Sequence, residues 1–207
     1  MTTGTDRREA IADAAIAIVA REGLRALTHR AVDRELDLPP GSASYYVRTR
    51  RQLIEAMVHR LAGRTVADLP PARPPAGVDE AAGMLAALLD RLACRADDHR
   101  ARYALTVDLA GDPELHAYLT SASPIRAGSL AAATTTLGHL GVAEPERHAV
   151  ELVALLDGLL YDRVAGIGLD PASRPDAGSL IGAYLRGLAL SPGRRSGAGA
   201  GPGSGRG

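Results

Sequence analysis

Between Thr28 and Arg50 the chain sets Thr28, His29, Arg30, Ser42, Ser44, Tyr45, Tyr46, Arg48 and Arg50 within twenty-three residues. Hydroxyls and guanidiniums are the groups that hold phosphate oxygens, and bidentate arginine and small hydroxyls are the groups that read base edges. By chemistry, Thr28, His29, Tyr45, Tyr46, Arg48 and Arg50 suit phosphate contacts. Arg30, Ser42 and Ser44 suit base edges, with Arg30 foremost because its fork pairs with guanine. Either tyrosine also reads as a packing residue that exposes only its hydroxyl.

Catalytic constellations are not legible elsewhere. His99, His116, His139 and His148 lack the i, i+4 spacing of a helical metal pair, and the single cysteine, Cys94, has no partner close in sequence. All 24 basic residues are arginine, so a phosphate loop that needs lysine is excluded. The expectation is a chain that is not an enzyme and needs no cofactor or metal.

The elements that must position those residues read as helices throughout, because apolar residues recur at helical spacing and no alternating β-branched run appears. The expected fold class is all-α with about nine or ten helices. A first helix over 6–22 carries Ile11, Ala15, Ile18 and Val19 on one stripe and stops at Gly23. Thr28 caps a short helix to Glu35; Asp37 supplies a tight turn that tolerates positive φ, and Leu38 fills the core beneath it. Pro40 pre-sets the next helix and Gly41 opens it. This is helix, tight turn, helix, the arrangement in which the second helix enters a DNA major groove. Thr49 and Gln52 then form a capping box for a fourth helix.

The run Leu27-Thr28-His29-Arg30-Ala31-Val32, then Leu36 to Val47, then Thr49-Arg50 and Leu53, resembles the DNA-binding head of the tetracycline-repressor (TetR) family of bacterial transcription regulators. The resemblance spans about residues 8–57 and places Pro40 and Gly41 with the DNA-facing residues. Asp37 stands where glycine is commonest in that family, Asp33 where a small apolar residue is usual and Val47 where phenylalanine is frequent. Arg50 replaces the usual lysine. Arg51, Arg60 and Arg64 read as solvated helix faces.

The expected boundaries are 1–48 for the DNA-binding head, 49–69 for a connecting helix, and 70–77 for a proline-rich linker. A helical domain for effector binding and dimerisation follows over 78–190, and 191–207 reads as a disordered Gly/Ser/Arg tail. Two late helices, 145–167 and 176–190, have broad apolar faces, from which Leu156, Leu160, Ile181 and Leu185 are expected to form a homodimer interface. Met84, Leu88, Tyr103, Asp108, Tyr118, His139 and Asp157 combine apolar lining with polar groups and are the candidate small-molecule site. The acidic balance of this domain favours a neutral or cationic ligand. The resemblance implies a repressor that binds a pseudo-palindromic operator and is released by an effector. An adaptor whose C-terminal domain binds a protein and no small molecule remains the alternative.

Charge supports this division. The 207 residues carry 24 basic and 24 acidic side chains, but residues 1–64 are net +3 and residues 65–190 net −6, so the front of the chain is the better match for a polyanion. One cysteine, no apolar leader and no membrane-length apolar run give the expectation of a cytoplasmic protein with no membrane partner.

Overall fold

The computed structural model describes residues 4–68 and 73–190. Among them the fold is all-α, with no strand. The disordered tail expected over 191–207, and residues 69–72 of the linker, lie outside the described residues.

Helix α1 spans Gly4–Glu22. It ends at Gly23, whose φ of 79° lies in the left-handed region, where a glycine carries no Cβ penalty. A 3-10 turn at Leu24–Ala26 leads to α2, His29–Glu35, whose cap is Thr28: its side-chain oxygen accepts from the Ala31 N–H at 3.1 Å. Asp37 takes φ 50°, as the tight turn requires, and Leu38 N–H returns to the Asp33 carbonyl. Helix α3, Ser42–Tyr46, follows Gly41 at φ 91°. Helix α4 covers Arg50–Asp68 and opens with the capping box: Gln52 N–H donates to Thr49 Oγ1 at 3.1 Å, and Gln52 Oε1 accepts from Thr49 N–H at 3.3 Å.

The remaining helices are α5 (Val78–Ala93), α6 (Ala96–Asp108), α7 (Pro113–Leu119), α8 (Pro124–His139), α9 (Pro145–Ala165) and α10 (Ala177–Leu190). Proline at the first helical position starts α7, α8 and α9, since its missing N–H would be unpaired there anyway. Helix α9 stops at Ala165, two residues before its apolar spacing ends. Gly166 lets the chain fold over Asp162: a Cβ there would lie 2.8 Å from the Asp162 Cα.

Two cores form. The first joins Ile11, Leu27, Val32, Leu53 and Met57 of the head to Ala101 and Leu105 of α6 and Leu115 of α7. The second is built by α5, α8, α9 and α10, with Leu89, Leu137, Leu152, Ile181 and Leu185 fully buried. The head therefore shares its interior with α6. Among the described residues no helix is long and apolar enough to cross a membrane, and no cluster of His, Cys, Asp or Glu could hold a metal ion.

Candidate nucleic-acid interface

Helix α3 has only five residues, too short to hold itself together, so its position must come from neighbours. Asp33, on α2, supplies the main restraint. It is 3% exposed, and its carboxylate accepts from Gly41 N–H at 2.8 Å and from Ala43 N–H at 2.7 Å, satisfying N–H groups that the helix start would leave unpaired. The Asp33 carboxylate is thus a tertiary helix cap for α3. His29 fixes the other end: its Nε2 donates to the Val47 carbonyl at 2.7 Å, tying the start of α2 to the end of α3.

The two serines point their hydroxyls back at the chain, Ser42 Oγ to the Pro39 carbonyl at 2.6 Å and Ser44 Oγ to the Gly41 carbonyl at 2.8 Å. Each keeps lone pairs for an outside donor. Tyr45 stands 79% exposed, whereas Tyr46 packs against the head core, the two rings meeting edge to face at 5.1 Å. Pro40 and Gly41 are exposed beside them.

The arginines divide into bound and open. Arg50 donates Nη2 to the Leu24 carbonyl at 2.8 Å and Nη1 to the Leu27 carbonyl, so it braces the start of α4 against the 3-10 turn. Arg21 pairs with Glu35 at 2.7 Å and holds that carboxyl below its usual range. Arg60 and Arg64 are not the solvated faces that the sequence suggests, and Arg51, exposed as expected, is engaged as well. Arg51 pairs with Glu55, Asp112 and Glu114; Arg60 with Glu9 and Asp13; and Arg64 with Asp13 at 2.7 Å and Asp98 at 2.8 Å. Their partners lie on other elements, which no local spacing reveals. By contrast Arg25, Arg30, Arg34 and Arg48 are exposed and carry no ion-pair partner among the described residues. Four guanidiniums without an ion-pair partner among the described residues thus belong to the helix-turn-helix and its two flanks, where Glu35 is paired with Arg21 and Asp33 is buried under α3.

The sequence profile of the tetracyclin repressor-like C-terminal domain matches residues 76–189. The chain belongs to the TetR family. Solved structures agree with the assignment. A transcriptional regulator from Streptomyces coelicolor A3(2) is 25% identical, with a TM-score of 0.64 over 89% of this chain and 99% of that one. The multidrug binding protein EbrR, solved with imidazole, is 27% identical, with a TM-score of 0.58 over 91% of this chain and 92% of that one. A regulator from Saccharomonospora viridis in complex with choline is 19% identical and shares the fold, with a TM-score of 0.62 over 88% and 95% of the two chains. Comparison with curated proteins returns no match.

The structure disperses the residues expected to form a small-molecule site. Tyr103 and Asp157 come together: the Tyr103 hydroxyl donates to the Asp157 carbonyl at 3.4 Å, and Arg102 pairs with the Asp157 carboxylate at 3.3 Å. Tyr118 instead packs on the head core and hydrogen-bonds His59 at 3.0 Å. Asp108 and His139 are exposed at helix ends, His139 bonding back to the Thr135 carbonyl. Met84 and Leu88 lie half-buried on α5. His99, which its sequence position did not single out, is buried on α6 with neither ring nitrogen hydrogen-bonded.

Leu160, Ile181 and Leu185 are buried in the chain's own core, and Leu156 is half-buried against it. The outward sides of the same helices carry Val150, Ala154, Gly158 and Tyr161 on α9 and Leu180, Ala183 and Gly187 on α10.

Proposed function

We propose that the chain is a cytoplasmic homodimeric repressor that grips a pseudo-palindromic DNA operator through α3 and is released by a small-molecule effector. The observation that carries the DNA reading is the clamped α3. Its short helix is held by Asp33 and His29, Tyr45 is fully presented, and the free arginines around it are the ones with no structural task. Phosphates would be met by Thr28, His29, Tyr45, Arg48 and Arg25, and base edges by Arg30, Ser42 and Ser44. Arg50 and Tyr46 act behind that surface, holding its shape.

The dimer reading rests on the exposed apolar side of α9 and α10. Val150, Tyr161 and Leu180 are large hydrophobics left in solvent, and Ala154, Gly158, Ala183 and Gly187 allow a second helix to approach closely. Two heads on one frame would contact two half-sites.

The effector reading is supported by relatives of the same fold that hold imidazole and choline. An adaptor binding a protein through its C-terminal domain is the second reading, favoured by two hollows, one between Arg64, Arg95 and Asp98 and one between Asp79, Asp176 and Arg186, both open to solvent and lined mainly by polar and small residues. The deciding experiment selects DNA from a random pool with the purified chain, then screens small molecules for thermal shift with and without the selected operator. A true effector must bind the two forms with different affinity. Hits that bind both forms equally would leave the adaptor reading in place, and failure to enrich any palindrome would sink the DNA reading.

A further inference from the structure

One nitrogen of the His29 ring is committed and the other is open. Nε2 lies 2.7 Å from the Val47 carbonyl, and a carbonyl oxygen can only accept, so Nε2 carries a hydrogen in either charge state of the ring. The neutral ring is therefore the Nε2–H tautomer, whose Nδ1 offers a lone pair. Nδ1 has no partner among the described residues, and solvent reaches it on a ring that is otherwise half-buried.

His29 opens α2, the first helix of the helix-turn-helix, which in such heads crosses the DNA backbone while the second enters the groove. Its chain neighbours are cationic. Arg30 follows it on α2 and Arg48 follows Val47 past the end of α3, both exposed and without an ion-pair partner among the described residues. Arg50, at the start of α4, is turned to the carbonyls of Leu24 and Leu27. The acids are occupied or distant: Asp33, one turn along α2, holds the Gly41 and Ala43 N–H groups, Glu35 pairs with Arg21 of α1, and Asp37 stands in the turn at the other end of α2. Of the α3 phenols, Tyr46 packs on the head core and Tyr45 stands in solvent. An imidazolium at this corner would find its anion outside the chain.

From this geometry we propose that His29 meets a DNA phosphate as the imidazolium, so that each head takes up a proton as it binds and DNA affinity is set by pH. This rests on the DNA reading above and adds its regulation. A phosphodiester oxygen has no hydrogen to give and repels the Nδ1 lone pair of the neutral ring. With a proton on Nδ1 the same atom donates a charge-assisted bond. The proton comes from solvent and stays on the ring, and Nε2 keeps its bond to Val47, so the brace on α3 is the same in both charge states. The complex holds more protons than the separate molecules, and affinity therefore rises as pH falls.

The test titrates the full chain with a mixed-sequence duplex of about 30 base pairs, long enough for two half-sites, because phosphate contacts do not depend on sequence. Salt is held constant and pH is lowered from about 8.5 to about 6.5, the range in which imidazoles change charge. Affinity is expected to gain roughly fivefold per head, and calorimetry in buffers of different ionisation enthalpy should show the proton uptake. His29→Gln keeps an N–H for the Val47 carbonyl but cannot be charged, so it should melt near the parent and lose the pH dependence. Nitrogen-15 spectra of the parent need no variant: one of the six histidine rings should pass from the Nε2–H tautomer to the imidazolium when DNA is added. A pH profile in His29→Gln as steep as the parent's overturns the proposal, as does binding without proton uptake or with every ring unchanged. Binding that is flat with pH removes the proton from the DNA reading and leaves that reading standing, whereas no binding at any pH removes both.

Discussion

The buried carboxylate of Asp33 in α2 accepts the backbone N–H of Ala43 in α3 at 2.7 Å. A five-residue helix is thereby fastened to the helix before it by a charge-assisted bond that water cannot reach. Replacing Asp33 with alanine leaves the Gly41 and Ala43 N–H groups without their acceptor and should cost about 1.5–3 kcal/mol of stability. Urea unfolding measures that loss. Operator affinity should fall with it, while a variant that kept both full stability and full affinity would show that α3 is held by other means.

Free and engaged arginines should separate in DNA binding. Arg48→Ala is expected to weaken every sequence alike and to lower the salt slope by about one counterion. Arg30→Ala should cost about 1–3 kcal/mol at one symmetric base-pair position and little elsewhere. Arg51→Ala, whose guanidinium already serves Glu55, Asp112 and Glu114, should leave DNA affinity at low salt near that of the parent. Titrations against selected and random duplexes over a salt series distinguish the three; equal losses in all would remove the assignment of Arg30 to bases.

The two sides of α9 and α10 predict opposite failures. Tyr161→Asp combined with Leu180→Asp places charge on the outward face and should give folded monomers in sedimentation, with operator binding lost. Leu185→Asp buries an unpaired carboxylate at a position of 0% exposure and should unfold the domain before any question of assembly arises. Circular dichroism melting alongside sedimentation tells these apart, and a dimeric double variant would exclude this face.

Acid should weaken the chain through His99. Its folded-state value, about 4, lies below the 6.5 of the free side chain, so below 6.5 the unfolded chain binds the extra proton and the folded chain does not. Stability from this group is present above pH 6.5 and is lost as pH falls toward 4, by about 3 kcal/mol in all. His99→Leu should flatten that part of the stability profile; an unchanged slope between pH 6.5 and 4 would show that the ring is not buried neutral.

Local signals in the sequence proved legible where one residue acts on its own segment. Asp37 announced a left-handed turn, Gly23 a helix stop, Thr28 a cap, and Thr49 with Gln52 a capping box. Partners distant in sequence left no such trace. Arg50 resembles any phosphate-binding guanidinium until the carbonyls of Leu24 and Leu27 are seen beside it, and Arg60 and Arg64 resemble solvated residues until α1 and α6 bring their acids. Asp33 gave one usable hint, since a carboxylate at an apolar position demands a donor. For α9 and α10 the composition itself hid the answer: with Leu, Ala and Gly on most sides, periodicity does not tell the face turned to the protomer's own core from the face left outside.

Ala101 and Leu105 of α6 lie at 0% exposure among side chains of the head. A chimera that joins residues 1–68 to another relative's C-terminal part would therefore replace the plug of the head's own interior. Such a fusion should be grafted with α6 included, or with the residues of α1 that face it exchanged as a set. Reporter circuits that recombine heads and sensors at the proline-rich segment would otherwise inherit a hole under α1 together with their new specificity.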